Sequence, residues 1–237
     1  SADILTASAG LAWNTPSSII YGTNLGSTQL NATANVAGTF AYTPPSGTRL
    51  AVGTHTLSVT FTPTNSAYDT DTTTVSISVT AKTLTVSGIT AANRVYDAST
   101  SATLSTGSAA FVGVESGDTV TIGVGSATGA FADKTIGSGK TVQVSGVTKS
   151  GADAGNYTIT QPTTTANITA KPLTVSGITA ANRVYDASTS ATLSTGSAAF
   201  VGVESGDTVT IGVGSATGAF ADKTIGSGKT VQVSGVT

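Results

Sequence analysis

The sequence predicts an all-β chain of small sandwich-like units in tandem. Three observations carry this: strict alternation of apolar and polar side chains, dense turn residues, and one long internal repeat. The alternation is plainest at Leu57, Val59 and Phe61, which share one side of a segment whose other side is Thr56, Ser58 and Thr60. Val75, Ile77 and Val79 repeat the pattern. A period of two marks a strand with one buried face. Strands are expected at Ile19–Tyr21, Gln29–Ala32, Thr39–Tyr42, His55–Phe61 and Thr74–Val79, with turns at Thr43-Pro44-Pro45-Ser46-Gly47 and Val52-Gly53. About six or seven such strands in about 80 residues make a small sandwich.

The turn residues follow the same logic. The 28 Gly and 6 Pro interrupt the chain often, as short strands joined by tight turns require. Charged residues are only 9% of the chain, against roughly 25% in ordinary globular proteins. Disorder calls for low hydrophobicity with high net charge, whereas here 38% of residues are hydrophobic and the net charge is −2. Thr, Ser, Asn and Gly therefore carry solubility, and branched Thr suits a pleated surface.

The repeat is verbatim. Leu84–Thr148 and Leu173–Thr237 are the same 65 residues, giving a period of 89. Ala81-Lys82 also matches Ala170-Lys171, with Thr83 in one copy and Pro172 in the other. A spacer gains length from each added copy, whereas an enzyme rarely needs two identical catalytic units in series. Within the repeat, Leu84 and Val86; Val120, Ile122 and Val124; Val142 and Val144; and Tyr157 and Ile159 supply alternating apolar faces. Gly123, Gly125 and Gly129 mark bends, bulges or hairpin ends. The first copy continues through residues 149–170, where Asn156–Thr160 and Thr164–Ile168 read as closing strands. The second copy stops at Thr237 inside the unit, so the expectation is a chain cut from something longer whose last stretch is marginally stable. The expected domains are 1–81, 82–170 and a shortened 171–237. Short junctions at Val79–Leu84 and Ile168–Leu173, the second stiffened by Pro172, would make a semi-rigid array.

Two resemblances sharpen this. The run Gly88–Asp97 (GITAANRVYD), then Phe131-Ala132-Asp133-Lys134, then Gly151–Tyr157 (GADAGNY) resembles the YDG-type repeat domain found in tandem in filamentous-haemagglutinin-like bacterial surface proteins. The name-giving Gly is replaced by Ala98 and, in the second copy, by Ala187. The expectation is that the turn adopts negative φ there or shifts, because positive φ strains Ala. Residues 1–81 resemble a bacterial immunoglobulin-like repeat through Trp13–Pro16, Ile20–Thr23, Gln29–Ala32, Gly38–Phe40, Leu57–Pro63 and Tyr68. Pattern and resemblance together give an all-β chain of tandem immunoglobulin-like β-sandwich domains in an elongated array. The resemblances imply a secreted or cell-surface location and an adhesin-like role, without naming a ligand.

The residues offer little chemistry. There is no Cys, hence no disulfide and no thiolate metal site. The single His, His55, reads as a solvent-facing strand residue without a nucleophile motif nearby. Glu115, Asp118 and Asp133 could in principle pair as glycosidase carboxylates, but read better as sparse surface charges near turns. Asn65, Asp69 and Asp71 form no recognised calcium loop. The expectation is no catalytic residue, no cofactor and no metal. Ten scattered Lys and Arg exclude a nucleic-acid footprint, and no apolar run reaches the ~18 residues of a membrane span. Ser1–Gly10 has no basic start followed by an apolar run, so it does not read as a signal peptide. Tyr96-Asp97 and its copy Tyr185-Asp186 admit two readings: a ligand-contacting turn, or a Tyr at the core edge beside an Asp that bonds turn N–H groups. The second is preferred. Trp13 likewise reads as packing ahead of a sugar platform with Tyr21, Phe40 and Tyr42. The leading functional expectation is a structural or adhesive stalk segment. The alternatives are a module binding host or surface glycan or protein, or an accessory region of a large extracellular enzyme.

Overall fold

A computed structural model describes residues 6–237; the first five residues, which open the stretch Ser1–Gly10, lie outside it. Among the described residues the chain is all-β, with several small sheets, no α-helix and one 3-10 turn at Ala154–Asn156. It divides into two compact units. One comprises the described residues up to Ala91, with Ala102–Ala130 and Val142–Thr164; the other comprises Ala92–Ser101, Phe131–Thr141 and Thr165–Thr237.

The first unit is organised by a four-stranded sheet in the order Ile19–Ile20, Asp71–Thr80, Gly53–Pro63, Gly38–Thr43. The two long strands pair antiparallel from Gly53↔Val79 to Phe61↔Asp71, and Ile19–Ile20 adds in parallel beside Val79-Thr80. Alternation sets which face is inward. Leu57, Val59 and Phe61 are fully buried, as are Ile77 and Val79 on the partner strand. His55 shares the inward parity, opposite Ile77, and is half-buried with Nε2 donating to the Ala51 carbonyl at 2.6 Å. It is therefore not the solvent-facing residue expected.

Gln29–Ala32 is a second departure. Its alternating buried Leu30 and Ala32 mimic a strand, but residues 27–30 form a turn. The amides of Gln29 and Leu30 donate to the Gly26 carbonyl at 3.0 and 2.8 Å, and Gly26 N–H donates to the Gln29 side chain. A local side chain that satisfies the backbone wins over strand propensity there. The remaining extended pieces meet through single bridges, Ala7 with Tyr68, Ala12 with Thr33 and Asn24 with Arg49.

One residue, Ala81, separates the strand Asp71–Thr80 from the next, Lys82–Ser87. The core runs straight through this link: Leu57, Ile77 and Val79 belong to one buried cluster with Leu84 and Tyr157. Lys82–Ser87 is flanked by Ala110–Val112 antiparallel and by Tyr157–Ile159 parallel, with Tyr157 opposite Lys82 and Ile159 opposite Leu84. Thr121–Gly123 pairs with Thr148–Ser150. The closing strand Thr163–Thr169 runs parallel to Arg94–Val95, with Ile168 opposite Arg94. Both closing strands expected from the sequence are thus present.

The second copy of the repeat has no counterpart of those closing strands, and its structure thins accordingly. Lys82–Ser87 corresponds to a shorter Thr174–Ser176, and Gly137–Ser145 to Val231–Ser234. No strand forms at Arg183-Val184. Val144 is 2% exposed while its copy Val233 is 40% exposed. Leu84, Phe131 and Val142 are buried while Leu173, Phe220 and Val231 are only partly so. Identical sequence reaches different burial because the covering strands are part of the core, not an ornament on it.

The turn after Tyr96-Asp97 keeps left-handed geometry despite its Ala. Ala98 has φ 59° and Ala187 φ 61°. Neither a negative φ nor a shifted turn, the two outcomes expected from the sequence, is adopted. The turn is over-determined around it: Asp97 Oδ1 accepts from Ser99 N–H at 2.9 Å and pairs with Arg94 Nη2 at 2.9 Å, and Arg94 Nη1 also donates to Ser99 Oγ and the Ser101 carbonyl. An L-residue in this region costs about 1–2 kcal/mol. Ala98→Gly should therefore stabilise the chain, by about 0.5–1 kcal/mol after the added freedom of the unfolded state is subtracted. Urea unfolding of the variant checks this; a lower midpoint would mean that the turn does not hold positive φ in solution.

Candidate functional site: an acidic turn that gathers tyrosines and cations

The most developed polar cluster is centred on Asp118, at the end of the turn Glu115-Ser116-Gly117-Asp118, closed by Asp118 N–H on the Glu115 carbonyl. Its side chain is only 3% exposed. Oδ2 accepts from the hydroxyls of Tyr21 at 2.7 Å and Tyr157 at 2.6 Å, and Oδ1 accepts from Arg49 Nη2 at 2.6 Å. The Tyr157 hydroxyl in turn accepts from Glu115 N–H at 2.9 Å. Glu115 pairs with Lys82 and lies 3.9 Å from Arg49. The two phenol rings meet edge-on at 5.3 Å, and the Arg49 guanidinium sits 5.3 Å from the Tyr21 ring centroid.

Each part is placed by its own element. Tyr21 follows the strand Ile19–Ile20 and is itself buried, and Gly22 then turns with φ 99° so that the backbone passes Glu115 where a Cβ would meet its carboxylate. Tyr157 opens the strand beside Lys82. Burial, then the bond to Asp118, pushes both phenols up to about 12. Burial works against the Asp118 carboxylate, but the Tyr157 and Tyr21 hydroxyls and the Arg49 charge outweigh it and hold its pKa below the ordinary range.

The same position in the second copy, Asp207, has the same kind of neighbours within its own unit. Oδ2 accepts from the Tyr96 hydroxyl at 2.6 Å and Oδ1 from Lys134 Nζ at 3.0 Å. Lys134 Nζ lies 5.9 Å from the Tyr96 ring centroid. Lys171 pairs with Glu204 at 2.5 Å, as Lys82 does with Glu115. The Tyr96 bond and the Lys134 charge lower the Asp207 pKa, and the Asp207 bond raises those of Tyr96 and Lys134.

The residues singled out from the sequence thus separate. Tyr96 points its hydroxyl at Asp207, whereas Asp97 turns back onto Arg94 and Ser99. Asp186 repeats the inward role on Arg183 and Ser188, and Tyr185 stands 56% exposed. Trp13 is half-buried, edge-on to Tyr42 at 5.3 Å with Nε1 donating to the Gln29 carbonyl. Phe40 and Tyr42 lie opposite Phe61 and Val59 in the strand register, with Phe40 37% exposed and stacked on Tyr42, while Tyr21 is buried in the core. Asp133, a candidate carboxylate beside Glu115 and Asp118 in the sequence, is instead held by Lys140 and Thr135, whose hydrogen bonds draw it down to about 2. Among the described residues no three of His, Asp and Glu gather as metal ligands.

From the sequence Asp118 is expected to be a surface charge near a turn. Its partners Tyr21 and Arg49 lie 97 and 69 residues away in a segment outside the repeat, so no local pattern announces them. A verbatim repeat adds no help, because every residue recurs equally.

Among the described residues the chain is thus all-β, and its repeated unit presents an acid, buried in the first copy and partly exposed in the second, to tyrosine and cation donors. The model of the YDG domain matches residues 80–166 and again 169–237, well over half of the chain, and the chain belongs to that family. No curated protein matches it.

Proposed function

We propose that this chain is a segment of a secreted or surface-exposed bacterial adhesin-like repeat protein, in which tandem immunoglobulin-like sandwiches form a stalk of filamentous-haemagglutinin type. In this reading residues 1–81 are an immunoglobulin-like module, 82–170 a full repeat and 171–237 a shorter copy. Its work is length, stiffness and display rather than catalysis. The observation that carries the reading is the link at Ala81: one residue between two strands, with a core that continues on both sides. A hinge needs free backbone and an interruption in packing, and this link has neither. The Asp118 and Asp133 carboxylates are paired with cations and held below the ordinary range, whereas a glycosidase acid must hold its proton near neutral pH.

Small-angle scattering on chains carrying increasing numbers of the 89-residue repeat tests the proposal. The maximum dimension should grow by a constant increment per copy. A compact profile whose size rises only with the cube root of mass would rule the stalk out.

A further inference from the structure

We propose that Tyr185 and Lys223, with Val184 and Ile225 beside them, form a docking surface for the acidic turn of a further copy of the 89-residue repeat. The inference rests on the stalk reading and specifies how successive repeats hold one another. Twice in this chain the same repeat position accepts a tyrosine hydroxyl and a cation from residues that precede its copy. Asp118 takes them from Tyr21 and Arg49, and Asp207 takes them from Tyr96 and Lys134. The donors differ in the first case and belong to the repeat in the second. From the preceding residues the chemistry of recognition is constant, one phenol and one positive charge on one carboxylate, to which Tyr157 of the same copy adds a second phenol at Asp118.

Tyr96 and Lys134 recur as Tyr185 and Lys223. Beside Asp207, Tyr96 and Ile136 line one hollow with Leu173, Val203 and Val209. The corresponding Val184 and Ile225 are 89% and 88% exposed, against 50% and 58% for Val95 and Ile136. An aromatic ring, two branched aliphatic side chains and a lysine left in water together form an amphipathic patch with a matched occupant whose chemistry is already present in the same polypeptide. The occupant is a further copy's counterpart of the turn Glu204-Ser205-Gly206-Asp207, which in this chain docks beside Tyr96 with Leu173 behind it. The closing strand matters to the patch as well, because Tyr96 N–H donates to the Thr169 carbonyl at 2.9 Å and so fixes where the phenol points.

The test uses the full chain and a lengthened one in which the sequence of residues 149–237 follows Thr237 again, completing the second copy and adding a third. Amide exchange is followed at the acidic turn of each copy. Tyr96→Phe should lower protection at Asp207 about tenfold in the 237-residue chain, the effect of one hydrogen bond to a charged acceptor. Asp207→Asn combined with it should add less than the two changes do separately. Tyr185→Phe should leave the 237-residue chain unchanged and, in the lengthened chain, lower protection about tenfold at the third copy's equivalent of Asp207. Should Tyr185→Phe be silent in the lengthened chain while scattering still shows steady growth, the docking surface is refuted and the stalk survives. Concentration-dependent burial of Tyr185 in the 237-residue chain would also overturn the proposal, since the occupant would then be a second molecule.

Discussion

Replacing Asp118 by alanine should destabilise the first unit by about 3 kcal/mol, among the largest effects expected of any single polar change in this chain. The carboxylate is buried and accepts three bonds from side chains, two phenolic and one cationic. Its removal strands two tyrosine hydroxyls near the core, each costing about 1–3 kcal/mol if no water reaches it. Arg49 remains 30% exposed and recovers part of its hydration, which keeps the figure at the lower end of the range for broken buried pairs. Asp118→Asn keeps an acceptor and should lose less. Urea unfolding of both variants gives the comparison, and a loss below about 1 kcal/mol for the alanine variant would return Asp118 to the class of exposed turn charges.

The same cluster dictates a two-sided response to pH. Tyr21 and Tyr157 have folded pKa values raised from 10.0 to about 12, so the stability they confer is complete below pH 10 and is lost as pH climbs toward 12. Asp118 is depressed, so its contribution is present above the ordinary carboxylate pKa and fades as pH falls through the folded value. In the Tyr21→Phe, Tyr157→Phe double variant the alkaline limb should flatten while the acid limb persists.

Hydrogen exchange should separate the two copies of the repeat by at least about a thousandfold at corresponding core amides, Val142 and Val144 against Val231 and Val233. The first copy buries Tyr157, Ala166 and Ile168 through its closing strands and the second has none of them. Burial of Tyr157 and Ile168, with Ala166 and the half-buried Ile159 beside them, is worth roughly 4–7 kcal/mol, of the same order as the roughly 5–15 kcal/mol that holds a whole domain. The missing strands also leave sheet edges with open N–H and C=O groups. Since the two stretches have the same 65 residues, intrinsic exchange chemistry cancels in the comparison. Equal protection in a monomeric sample would mean that the closing strands add nothing to the repeat's core.

Much of the architecture was legible because period-two alternation is a direct record of burial. Leu57, Val59 and Phe61 needed no further context. Alternation misleads at Gln29–Ala32, where a turn buries Gln29, Leu30 and Ala32, and at His55, where a polar side chain occupies the inward parity near a strand end. Ala98 was read by the usual preference of glycine for positive φ, but a network of Arg94, Asp97 and Ser99 holds the turn regardless. The acidic cluster was not legible at all. Burial of Asp118 depends on residues that meet only after folding, and the charge itself is indistinguishable in sequence from those that stay in water.

The parallel pairing at the ends of the repeat bears on how it would respond to tension. Lys82–Ser87 opens the repeat and Tyr157–Ile159 and Thr163–Thr169 close it; each closing strand runs in the same direction as its early partner, Lys82–Ser87 for one and Arg94–Val95 for the other. A pull on the two ends of the repeat drags these strands past each other lengthwise. The hydrogen bonds between them then bear load simultaneously in shear, whereas an antiparallel hairpin pulled from its open end releases them one after another.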